Sequence, residues 1–477
     1  MKKATVFLLA LAMLLGIFGA VPALAEETTT IVWYVPGSMP ENYDSVMAAV
    51  NEKLAPHGLQ LDLQIVEFGD YDQKMQLISA ARQDCDIMWV SSWLNRYDNN
   101  ISNGAIMAID EYLPEVPELD ALLSNYWQYL KVGGKLYGVP VLQIMADQPG
   151  IVFDRALVEK YDIDVTTVKD YRDLDAIFEI IAENEPGIYP AANNSPTYDM
   201  QFWNEETGEY DLYPKIEDYY IDTETMQVME TEARLGIERD LAAKRREWAV
   251  KGWMHPDIAT MTDKDSVWTS GKAFAKYSRV KPGNVAEWMR GYKLDVIEQP
   301  IGEAYISVGS VQSTINAIAS SSKHPVEALK LLELVNTDVE LYNMIIFGLE
   351  GQDYERVDET HIATIDGAYG VGAWTIGNQF NAYLTVEQED GIWEETIALN
   401  ESATPDPLGD FVFDRSNVES QMANIYAIRE EYKPILDYGL DEADKTIDER
   451  EAKLATAGQD EVIAELNRQL AEWAAAQ

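Results

Sequence analysis

Aromatic side chains stand at the places in this chain where a solute could be held. Trp33-Tyr34 closes a predicted first strand, and Trp89 and Trp93 flank Ser91-Ser92 after a third. Trp374 lies in the run Ala373-Trp374-Thr375-Ile376-Gly377-Asn378-Gln379-Phe380. A sugar ring has apolar C–H faces and a polar rim. Indole and phenol faces stack on the first, and amide, hydroxyl and carboxylate groups hydrogen-bond the second. Nine residues are therefore candidates for ligand contact: Trp33, Tyr34, Ser38, Trp89, Trp93, Asp147, Tyr277, Trp374 and Asn378.

Residues that could make or break bonds do not assemble into a recognisable pattern. The chain has no G-x-S-x-G elbow, no H-E-x-x-H helix, no phosphate loop and no EF-hand loop. Ser270-Gly271-Lys272 lacks the upstream glycine of a phosphate loop, and Ser320 to Lys323 spells S-x-x-K without its companion motifs. The four histidines, His57, His255, His324 and His361, are far apart in sequence and give no metal pair. With 82 acidic residues, carboxylate pairs carry no information about glycoside hydrolysis. The reading is a non-enzyme that needs neither metal nor organic cofactor.

Composition sets the class of partner. The 36 basic against 82 acidic residues give a net charge of −46, which repels nucleic acid and anionic lipid and favours a neutral or cationic solute. Cys85 is the only cysteine, so no intramolecular disulfide forms and stability must come from a core. Lys2 and Lys3, the uncharged run from Val6 to Phe18, and Ala23-Leu24-Ala25 have the layout of a signal peptide cleaved after Ala25. The first mature residue would be Glu26, not a lipid-anchor cysteine, so a secreted protein free of a lipid anchor is expected.

The elements that must position the aromatics follow from periodicity. Thr30–Val35, Leu59–Val66 and Asp86–Val90 read as strands, separated by helices over Glu41–Leu54 and Asp70–Arg82. This β-α-β-α-β alternation implies a parallel sheet, and ligands bind beyond the carboxyl ends of such strands, here Tyr34–Ser38 and Trp89–Trp93. Leu136–Val141 reads as extended, and residues 190–225 as long polar surface loops. Ile315–Ala319 reads as a strand followed by a helix opened by Pro325. Asn417–Tyr438, Asp441–Ala457 and Gln459–Ala475 read as three terminal helices broken at Gly439 and Gly458.

Several segments in order resemble the extracellular solute-binding proteins of ABC importers, most of all the group that includes maltose-binding protein. Lys131–Val141 (K-V-G-G-K-L-Y-G-V-P-V) is similar to the end of that family's first-lobe run, and Ile151–Tyr161 (I-V-F-D-R-A-L-V-E-K-Y) to the opening of its second lobe. Ile315–Asn336 looks like its return strand and helix. Trp374–Phe380, Gly409–Asp414 and Glu430-Glu431-Tyr432 resemble the C-terminal module of a subgroup of bacterial solute-binding lipoproteins. The resemblance implies a periplasmic-binding-protein-like type II α/β fold: two hinged lobes, an interlobe ligand cleft and a helical C-terminus. Residues 30–142 plus 305–345 are expected in lobe 1, and 148–298 plus 370–477 in lobe 2. The implied function is capture of a small solute, foremost an oligosaccharide, for an ABC permease by a monomer. A secreted carbohydrate-active enzyme is the alternative, and peptides or polyamines remain open as ligands.

Overall fold

The computed structural model describes residues 28–192, 200–365, 367, 369–409 and 411–475. The signal-peptide expectation for residues 1–25 lies outside them, as do residues 193–199 of the expected polar loops. Alternation along the first strand decides the first core: Ile31, Trp33 and Val35 point to one face and are fully buried, joined by Leu59, Leu61 and Leu63 of the neighbouring strand. Thr29–Pro36 lies between Leu59–Val66 and Ile87–Val90 and is parallel to both. Ile315–Ile318 then inserts antiparallel to Ile87–Val90, and Val139–Pro140 completes the five-stranded sheet. Tyr43–Leu54, Phe68–Ala81 and Pro325–Thr337 are helical, and the last begins with Pro325 where its missing N–H costs nothing.

The second lobe has a four-stranded sheet in the order Val296–Pro300, Pro149–Asp154, Ala273–Arg279, Tyr189–Ala191. Phe153, Phe178, Trp248 and Phe274 are among its fully buried side chains. A third core gathers Tyr219 and Ile221 with Leu408, Met422, Ile425 and Leu466, so the helices Glu419–Asp437, Ala443–Thr456 and Gln459–Ala474 form a module on this lobe.

Two expectations need correction. Residues 200–225 are not simply surface loops. Gln201–Asn204 and Glu209–Leu212 form a hairpin, and Tyr219–Asp222 is the middle strand of a small sheet whose Tyr219, Tyr220 and Ile221 are buried. Their polar composition hid apolar contacts with helices 200 residues further on. Residues 370–403 do not belong with the second lobe. Ile376 and Ala382 lie in the first core, with Trp374, Trp393 and Ala403 packed against it. Only after Thr404 does the chain return to the second lobe.

Three segments cross between the lobes side by side. Asp147 and Tyr305 exchange backbone hydrogen bonds of 2.7 and 3.1 Å, and Tyr305–Ile306 pairs in parallel with Thr404–Pro405. Both sheets aim their ends at this hinge. Val90 and Pro140 flank Ile315 where the first crossing leaves lobe 1, while Pro149 pairs Arg279 and Gly150 pairs Pro300 where it enters lobe 2. The Asn400 side chain locks the first crossing to helix Ile392–Ser402. Its Oδ1 accepts from the N–H groups of Met145 and Ala146 at 2.8 and 2.9 Å, and its Nδ2 donates to the Gln143 carbonyl at 2.7 Å. Asn400→Ala strands two buried donors and an acceptor, so denaturant unfolding should show a loss of about 2–4 kcal/mol.

Candidate functional site

The carboxyl ends of the first-lobe strands carry a shelf of aromatic rings. Trp89 ends fully buried near the close of its strand. Its ring meets Trp93 edge-on at 5.6 Å, Trp374 at 6.0 Å and Tyr71 at 6.0 Å, so Trp89 is the base on which the others rest. Trp93 is 55% exposed and is oriented by a 3.0 Å hydrogen bond from its indole N–H to the Ser313 carbonyl. Trp374 is half-buried and stacks on Phe68 at 6.0 Å with the planes 22° apart. Phe68, 41% exposed, completes the shelf.

Local sequence explains each position. Ser91 Oγ accepts from the N–H groups of Trp93 and Leu94 at 3.1 and 2.8 Å and turns the chain sharply after the strand. The Asn95 side chain donates to the Trp89 carbonyl at 2.9 Å. The Trp374 loop is fixed from beneath. Asn316 accepts from the Trp33 indole at 3.0 Å and donates to the Thr375 carbonyl at 3.2 Å, while the Tyr342 hydroxyl donates to the Ala373 carbonyl at 2.7 Å. A Cβ at Gly372 would sit 3.2 Å from the Trp374 ring nitrogen, so a larger residue there would press on the shelf ring.

At the hinge stands Asp147, bridged to Tyr305. It is buried, and Oδ2 takes a 2.8 Å ion pair from Arg279 and a 3.2 Å hydrogen bond from the Tyr305 hydroxyl. Burial pushes its carboxyl above the usual range, against the pull of Arg279 and Tyr305. Oδ1 has no hydrogen-bond partner. Arg279 is itself mostly exposed and closes the strand on which Tyr277, half-buried, sits two residues earlier.

Of the nine sequence candidates, Trp93 and Trp374 come together at one partly exposed surface, Asp147 lies at the hinge, and Tyr277 packs, half-buried, against the second-lobe core. Four are corrected. Trp33 is a core residue, fully buried and bonded to Asn316. Tyr34 points to the opposite sheet face from Trp33, and its phenol is pushed up by burial, with Cys85, Asp62 and Asp84 as electrostatic neighbours away from the hinge. Trp89 supports the shelf without a surface of its own. Asn378 is nearly buried. Its side chain accepts the Phe380 N–H at 3.0 Å, and its backbone bridges Leu142 of the first crossing. Ser38 is exposed and donates to Glu67 at 3.0 Å. Phe68 is not among the sequence candidates, although it opens the helix Phe68–Ala81, with only Glu67 between it and the end of strand Leu59–Val66.

Residues 36–340, more than half of the chain, match the family model described as bacterial extracellular solute-binding protein. The chain belongs to that family. Residues 407–475 match a domain of unknown function (DUF3502), which is the helical module on lobe 2. A carbohydrate ABC transporter substrate-binding protein of Streptococcus pneumoniae serotype 4 (strain ATCC BAA-334 / TIGR4) is 26% identical over 460 residues, covering 94% of this chain and 91% of that one. The crystal structure of the N-glycan transport solute binding protein NgtS from S. pneumoniae is similar at a TM-score of 0.80 with 25% identity, over 93% of this chain and 98% of the other. Structures of NgtS in complex with Man1GlcNAc and Man5GlcNAc match over 93% of this chain and 99% and 98% of theirs, at 25% and 26% identity and TM-scores of 0.70 and 0.66. No helix of the described residues is long and apolar enough to cross a membrane, and none of their His, Cys, Asp and Glu side chains cluster in threes fit for a metal ion.

One ionisable group of this solute-binding protein faces the interlobe space with a displaced titration. Glu298 lines a cavity beside the hinge together with Gln148, Lys281 and Leu399. Burial pushes its carboxyl up to about 7, against the Asn284 side chain and Lys281, with Glu287 adding to the rise. An unfolded glutamate ionises near 4.5, so the folded protein takes up a proton between pH 4.5 and about 7, and stability drawn from this residue falls as pH rises through that window. Glu298→Gln removes the effect. The variant should gain stability relative to wild type on going from pH 4.5 to 8, read as the difference between paired urea-unfolding midpoints.

Proposed function

We propose that this protein captures a neutral oligosaccharide between its lobes and delivers it, unaltered, to an ABC permease. The observation that carries the reading is the shelf of three partly exposed rings, Phe68, Trp93 and Trp374, at the strand ends that face the hinge. A stacked sugar ring would leave its hydroxyl rim toward the second lobe, where Asp147, Arg279 and Tyr277 supply acceptors and donors. Asp147 Oδ1, lacking a partner, suits a ligand hydroxyl. The net charge of −46 favours a neutral glycan over an acidic one.

The relatives support the same reading. One is named as a carbohydrate ABC transporter substrate-binding protein and the other as an N-glycan transport solute binding protein. This chain superposes better on NgtS with no glycan named, at 0.80, than on its two glycan complexes, at 0.70 and 0.66. That order fits an open arrangement of lobes that closes on its ligand. Export by cleavage after Ala25 is part of the proposal.

Calorimetry with Man1GlcNAc and Man5GlcNAc tests it directly. Trp93→Ala and Trp374→Ala should each weaken binding by roughly 1–3 kcal/mol. Because Trp93 is largely exposed, its loss should barely change Tm, whereas Trp89→Ala should cost about 3–5 kcal/mol of stability. Affinity unchanged in both shelf variants would end the proposal for this site. Glycan recovered shortened after incubation would replace transport by catalysis. Intact mass of the secreted protein should place its first residue at Glu26.

A further inference from the structure

Behind the Trp374 loop lies a second interlobe cavity, about 270 Å3 in volume, which neither the shelf nor the hinge accounts for. Val371 and Ala373 form one wall, and the next residue along the chain is the shelf residue Trp374. Ile144 of the first crossing lines its inner end. Lys281 and Arg290 reach it from the second lobe, where the turn at Gly283 already approaches Ile392 of the first lobe. The cavity is therefore walled by both lobes and adjoins the loop that carries Trp374.

Its lining has the same two-sided chemistry as the shelf. Tyr383 and Trp393 offer ring surface, while Gln379, Gln388 and Thr385 offer amides and a hydroxyl. Thr385 is 7% exposed, and its Oγ1 has no hydrogen-bond partner. Buried hydroxyls are ordinarily paired, so an orphaned one lining a cavity is poised for a polar group from outside the protein. The volume lies just below the range of about 300–1,000 Å3 for whole small-molecule pockets, so it suits one sugar unit better than an entire oligosaccharide. Of the two cations that reach it, Lys281 is already paired with Glu287 at 2.6 Å.

We infer that this cavity is a second sugar subsite, which takes a distal residue of an oligosaccharide whose other end stacks on the Trp374 shelf. The inference rests on the oligosaccharide reading above and adds that ligands too short to reach the cavity bind without it. Thr385 Oγ1 pairs with a hydroxyl of the distal residue, and exposed Thr364 marks the cavity rim.

Two variants test this by calorimetry with Man1GlcNAc and Man5GlcNAc. Thr364→Trp obstructs the rim and should weaken Man5GlcNAc by about tenfold while leaving Man1GlcNAc within about twofold. Thr385→Val removes only the hydroxyl. It should weaken Man5GlcNAc by about fivefold and leave Tm unchanged or raised, because that hydroxyl bonds nothing in the unliganded protein. Equal losses for both glycans, or no loss for either, would overturn the subsite while Trp374→Ala still reports on the shelf. The same holds if wild type binds Man5GlcNAc no more tightly than Man1GlcNAc. Wild type that binds neither glycan would overturn the oligosaccharide reading and the subsite with it.

Discussion

Where the chain passes between lobes, Asp147 and Tyr305 exchange two backbone hydrogen bonds, and the Tyr305 strand in turn pairs with Thr404–Pro405. Both sheets are built to end at this junction. Parallel strands joined through helices bring their carboxyl ends to one side. The antiparallel strand Ile315–Ile318 then fixes that side next to the exit of the first crossing. Two lobes with their own cores, joined only by short extended segments, can change their relative angle by small rotations in those segments. The Asn400 carboxamide limits that freedom, because it satisfies backbone groups of the first crossing from a helix of lobe 1. Bending is thereby directed beyond Ala146, toward Asp147 and the entry to lobe 2.

The shelf depends on a chain of buried contacts that run away from it. Trp93 and Trp374 rest on Trp89, and Trp89 rests on Tyr71, whose hydroxyl donates to the Tyr34 and Trp89 carbonyls at 3.0 and 3.1 Å. On the other side Asn316 ties the Trp33 indole to the Thr375 carbonyl. Buried polar groups satisfied in this way hold a loop in a single arrangement, which a stacking surface needs if it is not to spend binding energy on ordering itself. Exposed rings on a rigid support thus come from buried residues of the same type.

The C-terminal module is attached by a different interaction. Arg234 and Glu238 of helix Thr231–Val250 form a four-membered ion network with Arg450 and Glu451 of helix Ala443–Thr456. Burial opposes ionisation of Glu451, yet Arg234 and Arg450 outweigh it and hold the carboxyl below its usual range. Such a network adds little net stability over apolar packing, but it penalises any other docking of the helices, since an unpaired buried charge is costly. Arg239, Arg245 and Arg246 of the same helix also pair with acids of the module, so a chain with only 36 basic residues concentrates several of them on how the module sits.

The sequence by itself determined the alternation of strands and helices between Thr29 and Val90, the side of the sheet on which Trp89 and Trp93 lie, and the three terminal helices. These follow from periodicities of two and 3.6 residues and from Gly and Pro breaks, all local signals. Only the tertiary structure decided which tryptophan faces out. Trp33 lies within one strand and Trp93 just beyond another, and Trp33 meets Asn316, 283 residues away, and disappears into the core. The same cause placed residues 370–403 in lobe 1 and buried Tyr219 and Ile221 under the terminal helices. Phe68 joined the shelf for a related reason, since a helix's first turn points where its packing on the sheet sends it. Burial depends on what arrives from distant parts of the chain, and a local pattern carries no record of that arrival.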